Sequence, residues 1–293
     1  MSNTIAGVSL AEISQMSLPA LQSVFAPLGS ICTDFSDELS SGGASITTRY
    51  PVNPSTKDFS SGYSPDAVSM VARTITLDQF EGVSYGFTDL ERTKSAIMLN
   101  DLFILPAATA LGRKVFGSIW NLVTAANFAA TPIDKAAASF GRGDIIDAGA
   151  TLTAAGAPSE GRSVILNPYY YAAIEKSFIS AEIPGFPIQK TEGLVPRVSK
   201  FDIYQSDQAD DNGEDLKGFA YQRSALLMAA RRVDSTGFEQ VGEVEDFIIP
   251  GLNLPVQLRR YYDAPNGQLV YTMGLLWGVQ KGRTEFGVRI IES

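Results

Sequence analysis

The pattern of hydrophobic and polar positions predicts two strands joined by a long polar loop in the first third of the chain. The strand-like runs are 43–52 and 68–77, and the residues between them, 53–66, are polar and rich in turn formers. Loops of this length are uncommon in compact domains and are usually functional or disordered. A two-stranded ribbon is only marginally stable by itself. We therefore expect an extended arm that lies on a neighbouring subunit, which indicates assembly rather than catalysis.

A shorter amphipathic pattern precedes the ribbon. Apolar residues recur at helical spacing between Leu10 and Leu28, and Ser17 is a candidate N-cap. Pro27 is expected to end this helix, because proline cannot continue the helical hydrogen bonds. A helix this short does not fold in isolation. We interpret residues 1–41 as an arm pinned to the body or to a neighbour, and the alternative is a first core helix.

A long helix is predicted after a short alternating strand at 81–88. Thr88-Asp-Leu-Glu91 has the capping-box pattern that opens a helix. Apolar residues then continue from Ala96 to Ala126, mostly in steps of three and four. Pro106 interrupts this stripe, so a kink or two abutting helices are expected there. Even when kinked, the element should span roughly 45–50 Å, the length of a spine for the domain.

The rest of the chain predicts a mixed α/β block at 131–250, followed by a β meander. In the block we expect a helix at 144–155 with Asp144 as N-cap and Gly156 at its end, a strand at 162–166, a helix at 169–177 after the start signal Asn167-Pro168, strands at 198–204 and 218–222, and a helix at 224–231. In the meander we expect strands at 255–262, 268–279 and 285–291, with Asn266-Gly267 as a two-residue hairpin turn. The fold class is therefore α+β.

The composition is that of a packed globular protein, and it argues against membranes and specific DNA sequences as partners. Of 293 residues, 45% are hydrophobic and 19% are charged, enough for one large or two ordinary domains. No run approaches the roughly 18 apolar residues that a membrane span requires, so no membrane association is expected. The net charge is −9 and the basic residues are scattered, which argues against sequence-specific DNA binding. Such a balance is compatible with a wall that encloses DNA without adhering to it.

The residues available for catalysis are few. Without histidine, Ser-His-Asp and Cys-His catalysis and the commonest transition-metal ligand are excluded. The single cysteine, Cys32, excludes an intrachain disulfide and is expected to be a small buried residue. The acidic segment 207–215 fails the EF-hand spacing, so we expect a solvated turn rather than a calcium site. A carboxylate-dependent enzyme with a lid at 53–66 stays open, but no convincing pair of acids can be named.

Several stretches carry a resemblance to a known family. They are 27–35 leading into the ribbon, 161–168 entering a helix, 218–228, and the ending 274–279 with 285–289. Together with the order of the predicted elements, they resemble the major capsid protein of tailed bacteriophages, the Hong Kong 97-like fold. The resemblance covers essentially the whole chain and consists of short matches in the family's order rather than of a strict motif.

The resemblance implies a division into four parts. They are an N-terminal arm at 1–41, an extended loop at 42–80, a peripheral domain with the spine helix at 81–140 and 250–293, and an axial domain at 141–249. It implies that the extended loop contacts the next subunit, through Lys57, Phe59 and Tyr63. Some relatives join subunits by a lysine–asparagine bond, and Lys57 is the only lysine of the loop, hence the only candidate for such a cross-link from this side.

The same resemblance implies a function and partners. The chain would self-assemble into hexamers and pentamers of an icosahedral head around double-stranded DNA, without catalytic residues, metal or cofactor. Because Met1 lies almost directly at the arm, we expect that a separate scaffolding protein guides assembly or that no scaffold is needed. Portal and decoration proteins would complete a virion that is assembled in the host cytoplasm. The alternative within the fold is an encapsulin-like shell of a prokaryotic nanocompartment, which encloses an enzyme cargo.

Overall fold

The computed structural model describes residues 26–31, 45–51, 56, 58, 60, 62–63, 70–94, 105–180, 197–209, 212–249 and 254–292. Within these residues the chain forms a two-stranded ribbon and two five-stranded sheets. One main hydrophobic core joins the two sheets and the helices, and a small second core lies under the ribbon. The architecture is mixed α and β, as the sequence predicts.

The bounds of the elements are as follows. The helices are α1 (Asp89–Lys94), α2 (Leu105–Trp120), α3 (Arg142–Ala154) and α4 (Pro168–Ser180). The strands are β1 (Ser45–Pro51), β2 (Met70–Thr76), β3 (Gln79–Thr88), β4 (Ile133–Asp134), β5 (Arg162–Leu166), β6 (Phe201–Gln205), β7 (Leu216–Gln222), β8 (Leu226–Arg231), β9 (Gly242–Ile249), β10 (Leu254–Asp263), β11 (Gln268–Lys281) and β12 (Gly287–Ile291). None of the described helices is long and apolar enough to cross a bilayer.

The strands form three sheets. β1 and β2 pair antiparallel from Ser45 opposite Thr76 to Pro51 opposite Met70, which confirms the predicted ribbon. The first large sheet has the order β3-β11-β10-β9, and β8 pairs with the end of β11. The second has the order β4-β12-β7-β5-β6, in which β5 with β6 and β4 with β12 run parallel. β8 and β9 thus lie in the first sheet and β12 in the second, so strands cross the predicted limits of the two domains, and that division stays a prediction.

Three local signals are confirmed in atomic detail. At the start of α1, Thr88 N–H donates to Glu91 Oε2 at 2.9 Å and Glu91 N–H donates to Thr88 Oγ1 at 3.3 Å, which is the predicted capping box. At the start of α4, the Oδ1 atom of Asn167 accepts from Tyr169 N–H at 3.0 Å. Gly156, just beyond α3, has a φ of +80°, the left-handed conformation expected at a helix end.

The predicted helix at 224–231 is wrong. A short 3₁₀ turn at Arg223–Ala225 leads into strand β8, which pairs with β11. The side chains from Leu226 through Ala230 are all buried. A short run that is buried on every side has no amphipathic period, so its pattern does not distinguish a strand from a helix. Strand β9 was not predicted at all, and it joins the first sheet at the far edge from β3.

The predicted N-cap role of Asp144 is also wrong. The helix begins earlier, with Gly141 in the capping position. Asp144 lies inside the first turn, where its carboxylate accepts from Gly141 N–H at 2.9 Å and pairs with Lys135 Nζ at 2.5 Å. The side chain therefore satisfies one free N–H group of the helix start, that of Gly141, from the third helical position instead of from the cap.

The hairpin between β10 and β11 has a longer turn than predicted. The last paired residues are Asp263 and Gln268, so the loop comprises 264–267 rather than Asn266-Gly267 alone. Only Gly267 has a positive φ, +58°, whereas the two-residue type I′ turn requires two such residues. The Asp263 carboxylate accepts from the side-chain amides of Asn266 at 2.7 Å and Gln268 at 3.0 Å, and these bonds hold the wider loop.

The predicted spine is represented by two helices, α1 and α2. Residues 95–104 lie outside the described residues, so a single long helix stays a prediction. Pro106 lies in the first turn of α2, where proline is tolerated. The predicted continuation to Ala126 is wrong, because α2 ends at Trp120. The side-chain amide of Asn212 donates to the carbonyl of Trp120 at 3.3 Å and to that of Val123 at 3.0 Å. A loop that is distant in sequence therefore caps the helix, although the chain beyond it, at Val123, is still buried.

The described part of the N-terminal arm is pinned to the body. Leu28 and Ile31 are fully buried in the main core. Ser30 Oγ shares a 2.5 Å hydrogen bond with the hydroxyl of Tyr221, whose pKa is raised by burial. Arg223 Nε donates to the carbonyl of Ile31 at 3.3 Å. Residues 26–31 are therefore fixed to the body, whereas 1–25 and 32–41 lie outside the described residues, so the N-terminal arm stays a prediction.

Candidate assembly surface

The ribbon is attached to its own subunit at its base. The antiparallel register places Ile46 and Ile75 opposite each other on one face. Both are buried and pack against Leu227 and Ala229 of β8, forming the second core. Burying two such side chains stabilises the attachment by about 1.5–3 kcal/mol each. A two-stranded ribbon needs packing from outside the ribbon, and at its base this packing comes from the same chain.

A glycine allows β2 to approach β11 closely. A Cβ atom added at Gly278 would overlap the carbonyl oxygen of Thr76. Two residues further on, Gln280 Nε2 donates to the carbonyl of Thr74 at 3.2 Å. The start of the ribbon is thus positioned against the first sheet by backbone contact, which sets the direction in which the ribbon leaves the body.

Substituting Gly278→Ala should destabilise the subunit by about 1–3 kcal/mol, because the added methyl group forces the ribbon base away from β11. The free energy of unfolding can be measured by chemical denaturation, and ribbon mobility by limited proteolysis between β1 and β2. Gly117→Ala is the matched control, since a Cβ there meets nothing within 4 Å and the position is helical. It should be neutral or slightly stabilising. Equal stability of the two variants would contradict the close approach.

Further from the base, the ribbon presents apolar surface. The Arg283 guanidinium lies 5.3 Å from the ring centre of Tyr50 and 5.2 Å from that of Phe286, within cation–π range. Beyond this contact, Met70 and Val71 are exposed by 58% and 43%. These two side chains provide apolar contact area at the end of the ribbon that lies away from its base.

The structure tests the predicted contact residues only in part. Tyr63 is 90% exposed, so its ring is available to a partner. Lys57 and Phe59 lie outside the described residues, and their contacts stay predictions. Between them, the carboxylate of Asp58 accepts from the N–H and the hydroxyl of Ser60, both at 2.8 Å. These two hydrogen bonds lower the pKa of Asp58 and hold a local turn in the loop.

The acidic segment 207–215 is only in part the solvated turn that the sequence predicts, because Asp207 and Asp215 are exposed whereas Glu214 is half-buried. Glu214 Oε2 accepts from Ala125 N–H at 2.5 Å and from Arg289 Nη1 at 3.0 Å. Arg289 is only 7% exposed. The segment therefore fastens the turns after α2 to β12, a role that no sequence pattern indicated. In the part of the chain that the structure describes, no group of three or more acid or cysteine side chains could hold a metal ion.

A cleft of about 450 Å³ lies between α2, the start of α4 and the residues after β6. A carboxylate-dependent enzyme would need two converging acids in a cleft of this kind. Among the described lining residues Asp207 is the only acid, and it pairs with Arg113 at 2.9 Å. The cleft thus offers a single ion pair and not the two carboxylates that general acid–base hydrolysis uses.

The sequence matches no protein-family model and no curated protein. Solved structures do match it over most of its length. A structure from Mycobacterium phage Che8 is 19% identical, covers 89% of each chain and has a TM-score of 0.63. The capsid structure of cyanophage P-SCSP1u is 14% identical, covers 90% of this chain and 86% of that chain, and has a TM-score of 0.62. The crystal structure of a virus-like particle from Pyrococcus furiosus is 11% identical, covers 96% and 98%, and has a TM-score of 0.56.

At these identities the similarity concerns the three-dimensional fold. It extends over nearly the whole chain, as the predicted resemblance did, and includes both phage structures and the virus-like particle from Pyrococcus furiosus. The chain has the fold of the phage capsid proteins.

Proposed function

We propose that the chain is the major capsid protein of a tailed bacteriophage, which self-assembles into hexamers and pentamers of an icosahedral head around double-stranded DNA. The observation that carries the proposal is the fold, which is similar to that of the cyanophage capsid over 90% of this chain. The ribbon adds a second support, because it provides contact surface outside the compact body. A shell requires each subunit to bind several neighbours through heterologous contacts, and an arm is a direct way to reach them.

In this proposal the ribbon is the extended loop at 42–80, and it lies over the next subunit. Residues 81–140 and 250–293 form the peripheral domain around a spine helix, and 141–249 form the axial domain. The exposed ring of Tyr63, with Lys57 and Phe59, contacts the neighbour, and Lys57 is the candidate for a covalent cross-link. The exposure of Tyr63, Met70 and Val71 supports the assignment of this surface.

The proposed partners follow from the same role. A separate scaffolding protein guides assembly, a portal occupies one vertex, and decoration proteins bind outside. The shell forms in the host cytoplasm and becomes part of the virion. The net charge of −9 supports enclosure of DNA without specific binding, because a wall of like charge does not retain the polymer on its surface.

A second candidate function is the shell of a prokaryotic nanocompartment. The observation that favours it is the virus-like particle from Pyrococcus furiosus, which covers 96% of this chain and 98% of its own. The two candidates share the shell and differ in what it encloses, a genome or an enzyme.

The test is negative-stain microscopy of the purified full-length chain, with light scattering on the same sample. Closed particles, or hexamers and pentamers, are expected. Nuclease-protected DNA and portal protein in particles from infected cells would support the head, whereas a co-purifying enzyme would support the nanocompartment. A protein that stays monomeric or dimeric at high concentration, and from which no particles can be isolated in the cells that produce it with its scaffolding protein, would contradict both candidates.

A further inference from the structure

The two strands of the ribbon carry two charged side chains, and both are arginines. Among the described residues, neither Arg49 nor Arg73 has a hydrogen bond, an ion pair or a ring contact. Every other arginine whose side chain the structure describes has at least one interaction within the subunit. These are Arg113, Arg142, Arg162, Arg197, Arg223, Arg231, Arg232, Arg259, Arg260, Arg283 and Arg289. Among the arginines whose side chains are described, those without a partner therefore both lie in the ribbon.

Arg73 is the more unusual of the two. It lies opposite Thr48, on the face that carries the buried pair Ile46 and Ile75. Its Nε atom is buried and has no hydrogen-bond partner among the described residues. A buried donor on a charged group is costly to leave unsatisfied. In the single subunit, the Arg73 guanidinium therefore lacks an acceptor for this donor.

Arg49 lies on the other face of the ribbon, opposite Ala72. Both residues of this pair are exposed, as is the neighbouring pair Thr47 and Thr74, whose hydroxyls lie 3.0 Å apart. Because Arg49 and Arg73 alternate across the pleat, a surface that covers either face of the ribbon meets a guanidinium group.

We propose that carboxylates of a second copy of this chain pair with Arg49 and Arg73 when the ribbon lies on its neighbour. The pairing rests on the proposed shell function and names the chemistry of its contact. Charge complementarity supports it, because the described ribbon strands are purely basic while the chain as a whole has a net charge of −9. Opposite potentials on two faces of an interface select the partner and fix its register.

The observations favour a protein surface over nucleic acid as the partner. The arginines stand beside the exposed apolar side chains of Met70 and Val71. Arginine and methionine are enriched in protein interfaces, whereas phosphate-binding surfaces collect many cations in one place. The described ribbon strands provide only two.

The first experiment compares assembly of the charge-reversed variants Arg49→Glu and Arg73→Glu with that of the parent chain. We expect the subunit concentration required for assembly to rise ~10-fold or more for the Arg73 variant, as 1.4 kcal/mol or more of lost contact would give. For the exposed Arg49 we expect about 2- to 5-fold. Lys200→Glu is the matched control, since it makes the same charge change in an exposed turn away from the ribbon, and it should assemble like the parent.

The second experiment keeps the positive charge and identifies the partner. Arg49→Lys and Arg73→Lys provide amines that a carbodiimide joins to a carboxylate in direct contact. Particles are assembled from equal amounts of ¹⁴N- and ¹⁵N-labelled chains, so that links between copies are recognised by mixed labels. A peptide that joins the introduced amine to an aspartate or glutamate of another copy is the expected result.

Three results would overturn the pairing. They are particles without such a link, charge-reversed variants that assemble like the parent, and variants that assemble normally but lose bound nucleic acid, which would identify phosphate as the partner. Failure of the parent chain itself to form particles is read separately, because it contradicts the proposed function and the pairing together.

Discussion

Removal of residues 54–65 is expected to abolish shell assembly while leaving a folded subunit. The strands that flank this loop end at Pro51 and Met70, and their attachment through Ile46 and Ile75 lies at the opposite end. The deletion therefore removes the surface that carries Tyr63, and its described residues, 56, 58, 60, 62 and 63, are all exposed and belong to neither core. Loop length changes closure entropy only weakly, so the free energy of unfolding should change by less than about 1 kcal/mol.

Chemical denaturation of the subunit and microscopy of assembled material check this prediction together. A variant in which 54–65 are replaced by an equal number of glycine and serine residues is the control for loop length. It should also fail to assemble, because the contact requires side chains and not only reach. Normal particles from the deleted chain would contradict the arm, and so would loss of cooperative unfolding.

Arg162→Met should lower the free energy of unfolding by about 3 kcal/mol or more, because it removes all the hydrogen bonds that this buried side chain donates, including the one to the carbonyl of the buried Ala157. The Arg162 side chain is 4% exposed, and burial lowers the pKa of its guanidinium. It donates to the carbonyls of Pro158 and Ala157 at 2.8 Å, and to the carbonyl of Gly149 and the hydroxyl of Thr153 at 3.1 Å. One side chain thus joins the end of α3, the following loop and the start of β5.

Thermal or denaturant unfolding measures the effect, and two variants make it specific. Arg162→Lys should be intermediate, since a single ammonium group cannot reproduce the fork of the guanidinium. Arg113→Met removes an arginine whose side chain is 54% exposed and paired with Asp207, and should change stability by less than about 1 kcal/mol. A loss at Arg162 no larger than at Arg113 would contradict the role of the buried hydrogen bonds.

The two predictions separate the stability of the subunit from its assembly. Arg162 acts entirely inside one subunit, so its loss should reduce the yield of folded chain and of particles together. The loop 54–65 should affect particles only. A subunit built in this way can vary its contact surface without unfolding, because the ribbon base holds the strands in place regardless of what the tip contacts.

Local signals in the sequence identified several elements correctly, and each has a physical reason. The capping box at Thr88 and Glu91 and the Asn167-Pro168 start involve residues within one helical turn. The strands of the ribbon have turn formers between them and apolar residues within them. Such signals are complete in a few neighbouring residues, so they can be recognised without knowledge of the rest of the chain.

The errors occurred where the deciding partner is remote in sequence. α2 ends at Trp120, where the side-chain amide of Asn212, 92 positions away in the sequence, donates to the last carbonyl of the helix. β8 is a strand because β11 provides the pairing partner. Glu214 of the acidic segment stabilises the fold because its carboxylate accepts a hydrogen bond from the buried Arg289. In none of these cases does the local spacing contain the information.

The candidate assembly surface divides in the same way. The sequence by itself determined that 42–80 contains a ribbon with a polar loop, that catalysis by histidine is impossible, and that the order of elements resembles a phage capsid protein. Only the tertiary structure decided that the base of the ribbon packs on its own subunit, through Gly278 and the second core, and that Arg49 and Arg73 have no partner among the described residues. The reason is physical: a strand or a cap is formed by neighbours along the chain, whereas burial and pairing depend on residues that folding brings together.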